Sequence, residues 1–459
     1  MWNIRLLNTD KPLYIAIANA LENDIRSGIL HENEKLPTYR ELAKIIGVNV
    51  TTISRAYKEA EKRGLIYGTT GSGTFVKGTE KNPTVIGLEE RPPDIIDMSS
   101  VTALGHLEPN PLPIIEKIMA DKNISNYMRY STPEGYEQHR NIAANWVEKF
   151  GISCNSDDIL ICAGTQHAII CSLLACFKSG DKLAVDTLTF PGIQVAAAAL
   201  NIKLIPISMD HDGMIPHNLE SLCQHDGNIK GIYLMPNIQN PTAKTMSNKR
   251  KNEIADIIKK YDLILIEDDV YSFSNCNDKL SITSKVRDNG IFISGIAKIM
   301  FPGLRVSFVV APKKLKEFIS HSITTTMWMV QPLNIAIITE CIKSGLIDDV
   351  IKIKTKEIKK RLDLAISILK DFNISFSENS MFIWLELPSK WSVYDFEIAL
   401  AQKNIAIVPS RKFYIGNSMP PNAIRISLSS IENIDKLQLG LETIRDTLNE
   451  KACKFNRIM

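Results

Sequence analysis

The segment Ser294-Gly-Ile-Ala-Lys298-Ile-Met-Phe-Pro-Gly-Leu-Arg305 places a lysine and an arginine seven residues apart, around a Pro-Gly turn that follows a β-type run. A lysine amine that is shielded from water becomes a nucleophile and can attack an aldehyde. An arginine can hold a phosphate through two parallel hydrogen bonds. The segment therefore predicts a covalent site for a phosphorylated aldehyde, with Lys298 as the nucleophile and Arg305 as the phosphate ligand.

The segment lies in a part of the chain where β-type runs alternate with helical segments, which favours a mainly parallel sheet wrapped by helices. The predicted strands are 159–162, 182–186, 203–207, 231–235, 263–267, 290–294 and 305–311. Ligand groups in such folds gather beyond the carboxyl ends of the strands. The polar motifs that follow these strands are therefore expected along one edge of the sheet, beside Lys298.

Three groups that follow other predicted strands suit a planar, phosphorylated ligand. Gly164-Thr165-Gln166 opens a helix, where free amides and the helix dipole favour a phosphate. Phe190 can stack on a ring, and Asn240 can donate a hydrogen bond to a phenolic oxygen. Each also has an ordinary explanation, because such turns are common, phenylalanine is readily buried and an Asn-Pro pair favours a turn.

An acidic cluster, Glu267-Asp268-Asp269, and one arginine complete the set of candidates. Asp268 beside a pyridine nitrogen would keep that nitrogen protonated, so that the ring acts as the electron sink that pyridoxal phosphate chemistry needs. Tyr271 is placed to touch the phenolic oxygen, and a solvated acidic loop is the alternative. Arg425 lies in an apolar run and needs an anionic partner; the α-carboxylate of an amino acid suits it.

The first 78 residues have the pattern of a small helical domain with a hairpin. Apolar residues recur at helical spacing over 13–25, and Thr38 with Glu41 forms a capping box that opens a second helix. Asn49 is placed to cap a third helix after the break at Gly47. Two short helices joined by a glycine turn predict a helix-turn-helix, whose second helix enters the major groove of DNA.

Short β-type runs at 65–67 and 74–76 flank a glycine-rich tip, which predicts the wing of a winged helix. Small residues at such a tip allow the backbone to approach DNA closely, whereas the polar side chains are expected on phosphates or base edges. Solvated surface arginines are the ordinary alternative. The candidate DNA-binding residues are Arg40, Thr51, Thr52, Arg55, Gly71 and Gly73.

Both parts of the chain resemble known families. The motifs Leu36-Pro-Thr-Tyr-Arg-Glu-Leu-Ala43, Gly47-Val-Asn-Val-Thr-Thr-Ile-Ser-Arg-Ala-Tyr57 and Gly71-Ser-Gly-Thr-Phe-Val76 closely resemble the winged-helix domain of the GntR superfamily of bacterial transcription regulators. From about residue 95 onward the chain resembles fold-type I aminotransferases. That second resemblance rests on Ala163-Gly-Thr-Gln-His-Ala168, Phe190-Pro-Gly192, Pro236-Asn-Ile-Gln-Asn-Pro-Thr242, Glu267-Asp-Asp-Val-Tyr271, the Lys298–Arg305 segment and Ile424-Arg-Ile-Ser427.

The two parts together resemble the MocR (GabR-like) subfamily of GntR regulators, over nearly the whole chain. The resemblance implies an N-terminal winged helix-turn-helix (α+β) joined to an α/β pyridoxal-phosphate-dependent transferase fold of type I, with a large and a small lobe. It assigns Lys298 to covalent attachment of pyridoxal 5'-phosphate, Asp268 to the pyridine nitrogen and Arg425 to the carboxylate of an effector. It also assigns Tyr130 to the phosphate bound by the neighbouring subunit, which implies an obligate homodimer.

Two departures from the family pattern bear on the sites. Many relatives have an arginine where this chain has Val50, after the residue that caps the third helix. Relatives often carry a serine three residues before the reactive lysine as a phosphate ligand, and here that position is Gly295. Ser294, one step away, is the remaining hydroxyl candidate for the cofactor.

The predicted organisation has three parts. Residues 1–78 form the DNA-binding domain, and 79–97, rich in proline and charge, form a linker. Residues 98–459 form the aminotransferase-like domain, with a large lobe over about 131–320 and a small lobe made of 98–130 and 321–459.

Composition sets the class of the protein. The 459 residues are 44% hydrophobic and 23% charged, with a net charge of +3, which neither requires nor excludes nucleic acid. The eight cysteines include no C-x-x-C pair and no Cys/His spacing typical of zinc, so thiols in a reducing cytoplasm and no metal are expected. The sequence shows neither a signal peptide nor a run long enough to span a membrane.

The sequence therefore predicts a cytoplasmic, dimeric transcription regulator that binds an operator in double-stranded DNA and senses an amino acid or amine through pyridoxal phosphate. Two alternatives remain open at this point. One is a working aminotransferase with a DNA-binding appendage, since the catalytic set is largely present. The other is a regulator that senses pyridoxal phosphate itself and controls the supply of vitamin B6.

Overall fold

The computed structural model describes residues 12–26, 29–30, 34–63, 65–69, 73–76, 91–122, 124–274, 281–416 and 418–451. The chain forms two compact units, one built on residues 1–84 and the other on residues 85–415 and 421–459. Each unit has its own apolar core. Gly71 and most of the predicted linker lie outside the described residues.

The described residues of the first unit form three helices and a hairpin. Their bounds are α1 (Leu13–Arg26), α2 (Tyr39–Ile46), α3 (Val50–Lys62), β1 (Ile66–Thr69) and β2 (Gly73–Val76). The strands pair in antiparallel fashion, with Ile66 opposite Val76. Ile17, Leu42 and Ile53, one from each helix, are buried together with Val76. The predicted helix-turn-helix with a hairpin wing is confirmed.

The caps of α2 and α3 follow the sequence prediction. Thr38 Oγ1 accepts a hydrogen bond from the Glu41 N–H at 3.3 Å, and Glu41 Oε2 accepts one from the Thr38 N–H at 2.8 Å. Gly47 ends α2 in the left-handed region with φ 74°, which a residue without a Cβ adopts at little cost. Asn49 Oδ1 then accepts the Thr51 N–H at 3.1 Å and starts α3.

Removing the capping hydroxyl should loosen α2. We expect Thr38→Ala to cost about 1 kcal/mol, because the Glu41 backbone N–H loses the Thr38 hydroxyl as its acceptor. Amide hydrogen exchange in the full-length protein should then be roughly fivefold faster over 39–46. The exposed Lys44→Ala in the same helix should change that rate far less. Equal protection in Thr38→Ala and the unaltered chain would mean that the box contributes nothing to this helix.

The second unit contains twelve helices among the described residues. They are α4 (Leu112–Met119), α5 (Ile124–Tyr127), α6 (Glu137–Glu148), α7 (Thr165–Cys176), α8 (Pro191–Ala199), α9 (Pro216–His225), α10 (Asn248–Lys260), α11 (Lys313–Met327), α12 (Pro332–Lys343), α13 (Leu346–Leu369), α14 (Val393–Ala401) and α15 (Ile434–Asn449).

The strands of the second unit are β3 (Ile96–Asp97), β4 (Ile159–Cys162), β5 (Lys182–Asp186), β6 (Lys203–Ile207), β7 (Met209–Asp210), β8 (Gly213–Met214), β9 (Ile229–Leu234), β10 (Ile264–Asp269), β11 (Gly290–Gly295), β12 (Ser307–Val310), β13 (Ile374–Ser375), β14 (Phe382–Glu386), β15 (Ile405–Ala406), β16 (Val408–Pro409) and β17 (Ala423–Ser427). All seven strands predicted from the sequence are present. The last begins two residues later than predicted, because Arg305 takes a left-handed conformation with φ 52°.

Seven strands form the main sheet in the order β4-β12-β11-β10-β9-β5-β6. β12 is antiparallel to both of its neighbours, and the other pairings are parallel. The carboxyl ends of β4, β5, β9, β10 and β11 therefore lie at one edge of the sheet. β4, β10 and β11 are buried almost throughout, as expected for a sheet covered by helices on both faces.

A smaller antiparallel sheet has the order β13-β14-β17-β16. It shares a second core with α13, α14 and α15, which includes Ile383, Leu400 and Leu441. Leu104, Tyr127 and Ile335, from segments that the sequence prediction gave to the small lobe, pack instead in the core of the main sheet. Among the described residues, no helix is both long and apolar enough to cross a membrane.

Candidate functional site

The predicted site residues meet at the carboxyl edge of the main sheet. Asp268 lies at the end of β10 and pairs in register with Ile293 of β11, and Lys298 follows β11 three residues after its last residue, Gly295. Gly164 follows β4 and precedes α7. Because these strands run in the same direction, the loops that follow them converge at this edge.

Arg425 is brought to this edge by β17 of the smaller sheet and is 3% exposed. Its Nη1 donates to Asn240 Oδ1 at 2.8 Å, and its Nη2 donates to the Ser99 carbonyl at 2.6 Å. The guanidinium lies over the rings of Phe413 and Phe382, at 4.9 and 5.5 Å. Burial lowers the pKa of Arg425 to about 10, and its Nε finds no partner among the described residues.

Asp268 is 2% exposed and has one engaged and one open oxygen. Tyr233 of the neighbouring β9 donates its hydroxyl to Oδ2 at 2.8 Å, whereas Oδ1 has no hydrogen-bond partner among the described residues. Burial raises the pKa of Asp268 to about 7, although the Tyr233 hydrogen bond and the Lys298 charge oppose that rise. Tyr271 is buried nearby, and burial raises its pKa to about 12.

The Lys298 amine donates to the Val101 carbonyl at 2.5 Å. Burial lowers its pKa to about 8, and the positive charges of Arg425 and Arg305 lower it further, while Asp268 acts in the opposite direction. A larger share of this amine is therefore neutral at physiological pH than for an exposed lysine. Neutral amine is the form that attacks a carbonyl.

A second, fully buried lysine fixes the loop that follows Lys298. The Lys354 amine donates to the carbonyls of Ala103 and Ile299 and to Glu108 Oε1, the last two at 2.6 and 3.2 Å. Glu108 Oε2 in turn accepts the Phe301 N–H at 3.0 Å. The backbone on the carboxyl side of Lys298 is thereby tied at two points, so the position of the reactive amine does not depend on a free loop.

The start of α7 and Arg305 form the end of the site that suits an anion. Gly164 has φ 80°, and a Cβ on it would lie 2.3 Å from Arg305 Nη2, so the guanidinium rests directly on the glycine backbone. The hydroxyl of Thr165 and Oε1 of Gln166 have no hydrogen-bond partner among the described residues. Arg305 itself is exposed and can reorient toward a ligand.

Gly295 and Ser294 have different environments from those that the family pattern suggests. A Cβ on Gly295 would lie 2.5 Å from Thr165 Oγ1 and 2.6 Å from Val270 Cγ2. The Thr165 hydroxyl therefore occupies the space that a serine side chain at position 295 would need. Ser294 is buried and its Oγ accepts the indole N–H of Trp146 at 3.1 Å. The hydroxyl at the anion end therefore comes from Thr165, whereas that of Ser294 serves the packing of Trp146.

Phe190 lies beside the anion end of the site, whereas Tyr130 lies on the surface of the chain. Phe190 is partly buried and sits at the start of α8, where its ring lies against Gly192, the glycine whose carbonyl accepts Gln166 Nε2–H at 2.9 Å. Tyr130 is 82% exposed and makes a ring contact with Trp328, with centroids 6.3 Å apart. Phe190 is thus connected to the anion end of the site, and Tyr130 faces outward on its own chain.

Comparison with known proteins assigns both parts of the chain. Residues 13–76 match the gntR family of bacterial regulatory proteins, and residues 94–438 match the aminotransferase class I and II family. The Bacillus subtilis protein named "Uncharacterized HTH-type transcriptional regulator YdeF" is 32% identical over 450 residues, which cover 98% of this chain and 97% of that protein. This chain belongs to the HTH-type transcriptional regulators that join a gntR domain to a class I and II aminotransferase domain.

Solved structures support the fold of the larger domain of this gntR-aminotransferase regulator. The kynurenine aminotransferase of Pyrococcus horikoshii is similar with a TM-score of 0.71 and 23% identity, over 78% of this chain and 91% of that one. An archaeal alanine:glyoxylate aminotransferase has the same TM-score at 20% identity. The predicted type I aminotransferase fold is confirmed.

In the DNA-binding domain of the regulator, the predicted contact residues lie on the surface of the helix-turn-helix. Arg40 on α2 and Thr51 and Arg55 on α3 are exposed, and Thr52 is partly buried. Val50, at the first position of α3, is 41% exposed and carries no hydrogen-bonding group. Arg55, five residues further along α3, is exposed and has a guanidinium that can donate hydrogen bonds to a base or phosphate.

Sequence reasoning missed three residues that support the site of the regulator: Tyr233, Lys354 and Glu108. Tyr233 carried a usable signal, because a tyrosine in an apolar strand needs a hydrogen-bond partner once it is buried. Lys354 is placed inside α13 among many other lysines, so its burial has no signal in the sequence. Only the tertiary structure shows that it reaches the loop after Lys298.

Proposed function

We propose that this regulator binds pyridoxal phosphate covalently at Lys298 and senses an amino-acid or amine effector there, which changes its affinity for operator DNA. The observation that carries the proposal is a group of polar atoms around Lys298 that are buried and unpartnered among the described residues. They are Thr165 Oγ1, Asn240 Nδ2, Asp268 Oδ1 and Arg425 Nε. Buried polar atoms without partners are uncommon, and each calls for an explanation.

The chemistry of these atoms fits the parts of the cofactor. Asp268 Oδ1 is an acceptor that suits a protonated pyridine nitrogen, and Asn240 Nδ2 is a donor that suits a phenolic oxygen. The Thr165 hydroxyl, with the Arg305 guanidinium and the amides that start α7, suits a phosphate. Gln166 Oε1 is an acceptor and does not suit a phosphate, so we assign the contribution of Gln166 to its backbone N–H.

Pyridoxal phosphate, when bound, supplies a reactive carbonyl and an electron-withdrawing ring. The residues of this chain hold and tune it. Lys298 offers a largely desolvated amine, and Asp268 offers an oxygen whose charged form is favoured by a cationic N–H beside it. Arg425 offers a buried cation to a carboxylate, and its stacking on Phe382 and Phe413 keeps the guanidinium in place. An amino acid is thus recognised at both its amine and its carboxylate.

We also propose that the regulator acts as a homodimer in which Tyr130 reaches the phosphate site of a second copy. Three large apolar or aromatic side chains, Met128, Tyr130 and Trp328, are 62%, 82% and 61% exposed, and the rings of Tyr130 and Trp328 are in contact. Exposed apolar surface of this kind is typical of an interface. A second copy would bury these side chains and bring the Tyr130 hydroxyl to a phosphate.

The lowered pKa of Lys298 sets a pH dependence for cofactor uptake. The amine must be neutral to attack, so the second-order rate of uptake should rise with pH up to about 8, where half of the amine is neutral, and level off above it. Stopped-flow absorbance between pH 6 and 10 measures this rate. A rate that still climbs in proportion to hydroxide between pH 9 and 10 would assign Lys298 the pKa of an ordinary solvated lysine.

The proposal is tested by titrating the full-length protein, loaded with pyridoxal phosphate, with amino acids and amines while visible absorbance and operator binding are followed. A ligand that changes both signals, and whose affinity changes by the same factor when operator is added, supports effector sensing, because coupling between two sites is reciprocal. Sustained production of keto acid at about 1–1000 per second would favour an aminotransferase instead. Operator binding that responds to pyridoxal phosphate alone would identify a sensor of the cofactor.

A further inference from the structure

A cluster of two cysteines and one histidine lies under the start of α7 and has no part in the site described above. Cys162 is the last residue of β4, and His167 and Cys171 are one turn apart on α7. Both sulfur atoms and a ring nitrogen of His167 lie within 4.8 Å of one another. Both cysteines are fully buried, whereas His167 is partly exposed.

Hydrogen bonds assign the proton on the His167 ring. The Ala163 N–H donates to Nδ1 at 3.0 Å, so Nδ1 carries a lone pair and the proton is on Nε2. The Nε2–H faces Thr326 Oγ1 at 2.8 Å and Cys171 Sγ at 3.2 Å. The Thr326 hydroxyl donates its own proton to the Ser322 carbonyl, so its oxygen is an acceptor. Neither ring nitrogen has a free lone pair for a metal ion, and the ring is a donor to sulfur.

The two sulfurs have unequal roles. The closeness of the two sulfurs raises the pKa of Cys162 and, together with the His167 hydrogen bond, lowers that of Cys171. Cys171, whose sulfur faces the His167 N–H, is therefore the thiol of the pair that loses its proton more readily, and the thiolate is the form that reacts with oxidants. A thiolate beside a second, protonated thiol is the arrangement from which an intramolecular disulfide forms.

We propose that Cys171 and Cys162 form a thiol-oxidation site that a hydroperoxide converts to a disulfide. The Cys171 thiolate attacks the terminal peroxide oxygen; an S–O bond forms, the O–O bond breaks, and the leaving alkoxide takes a proton from solvent. The Cys162 sulfur then attacks the Cys171 sulfur, forming the S–S bond and breaking S–O. The departing hydroxide leaves as water with the Cys162 proton. The two thiols lose two electrons, and the peroxide is reduced to alcohol and water.

The disulfide would act on the anion end of the neighbouring site. It would close a loop that contains Gly164, Thr165 and Gln166, and the sulfurs would have to approach to about 2.05 Å. The first turns of α7 would be drawn against the end of β4, which moves the amides and the Thr165 hydroxyl. The oxidised chain should therefore hold pyridoxal phosphate less tightly than the reduced chain. This consequence rests on the proposed function, whereas disulfide formation does not.

Mass spectrometry of the reduced full-length protein after treatment with hydrogen peroxide tests the site. We expect the peptide that contains both cysteines to lose two hydrogens and two alkylation sites, and reducing agent to restore them. Cys162→Ser and Cys171→Ser should each abolish this loss. Cys154→Ser and Cys176→Ser, matched controls in the same stretch of chain, should keep it. Circular dichroism melts of all four variants confirm that they are folded.

Other outcomes would contradict the proposed oxidation site or its link to the cofactor site. Loss of two hydrogens that persists in Cys171→Ser, or no loss at all, overturns the proposal. Stoichiometric Zn²⁺ binding that protects both thiols from alkylation also overturns it, because the His167 ring would then have a free lone pair. If the disulfide forms and pyridoxal phosphate affinity is unchanged, the link to α7 is wrong. If neither form of the chain binds pyridoxal phosphate, the proposed function fails while the oxidation site stands.

Discussion

Lys298→Ala should give no pyridoxyl-modified peptide when the protein is mixed with pyridoxal phosphate and reduced with borohydride. Lys298 lies beside the unpartnered atoms of Asp268 and Thr165, and its pKa is lowered to about 8. Lys251 and Lys354, the lysines that are buried among the described residues, have their amines engaged by buried oxygens. The expected effect is complete loss of covalent attachment, measured by peptide mass spectrometry.

Lys298→Arg separates nucleophilicity from charge. Arginine keeps the positive charge but cannot be deprotonated in a protein, so covalent attachment should again be absent. The exposed Lys360→Ala should retain full modification at position 298. A modified peptide at another lysine in the Lys298→Ala chain would show that the site lies elsewhere. If Lys298→Ala still changes its operator affinity when an amino acid is added, sensing does not pass through this amine.

Arg425→Gln should lower the affinity for effectors that carry a carboxylate by a large factor. Removing one partner of a buried charge pair costs about 2–5 kcal/mol, which corresponds to roughly 30-fold to several thousandfold in affinity. The buried guanidinium, held over Phe413 and Phe382, forms no ion pair with an acidic side chain among the described residues, so its charge is available to a ligand carboxylate. The spectral titration of the loaded protein measures the change.

Amines without a carboxylate are the matched ligands for this variant, and their affinity should be nearly unchanged. Arg425 also bonds Asn240 and the Ser99 carbonyl, so the thermal stability of Arg425→Gln and of Arg425→Lys must be measured beside the titration. Arg425→Lys keeps the charge without the planar fork and should have an intermediate affinity. An equal loss for amines and amino acids would mean that Arg425 supports the site rather than binds the effector carboxylate.

Local signals in the sequence were sufficient to predict much of the fold. The bounds of β4 and β5 agree with the predicted strands, because continuous apolar runs between turn residues leave little ambiguity. The capping box at Thr38 and Glu41 uses two side chains only three residues apart, so it can be read from the sequence directly. The predicted start of the last strand at Arg305 is two residues too early, because nothing local shows the left-handed backbone that ends the turn before β12.

The candidate site was predictable as a list of residues but not as a geometry. Asp268 could be singled out from its strand end, yet the oxygen that Tyr233 engages is fixed by a neighbouring strand 35 residues away. The role of the Thr165 hydroxyl depends on its position beside Gly295. These two residues are far apart in the sequence, so their spacing does not reveal the contact. The tie between Lys354 and Ile299 joins residues 55 apart. These are tertiary contacts, and periodicity carries no information on them.

The threonine at position 165 and the glycine at position 295 also restrict how this chain can evolve. A serine at 295 would place its Cβ 2.5 Å from Thr165 Oγ1, and Val270 would crowd it from the other side. A chain that acquires a serine at 295 must therefore also make room at both Thr165 and Val270. A hydroxyl at 295 is therefore reached through several coordinated substitutions rather than through one.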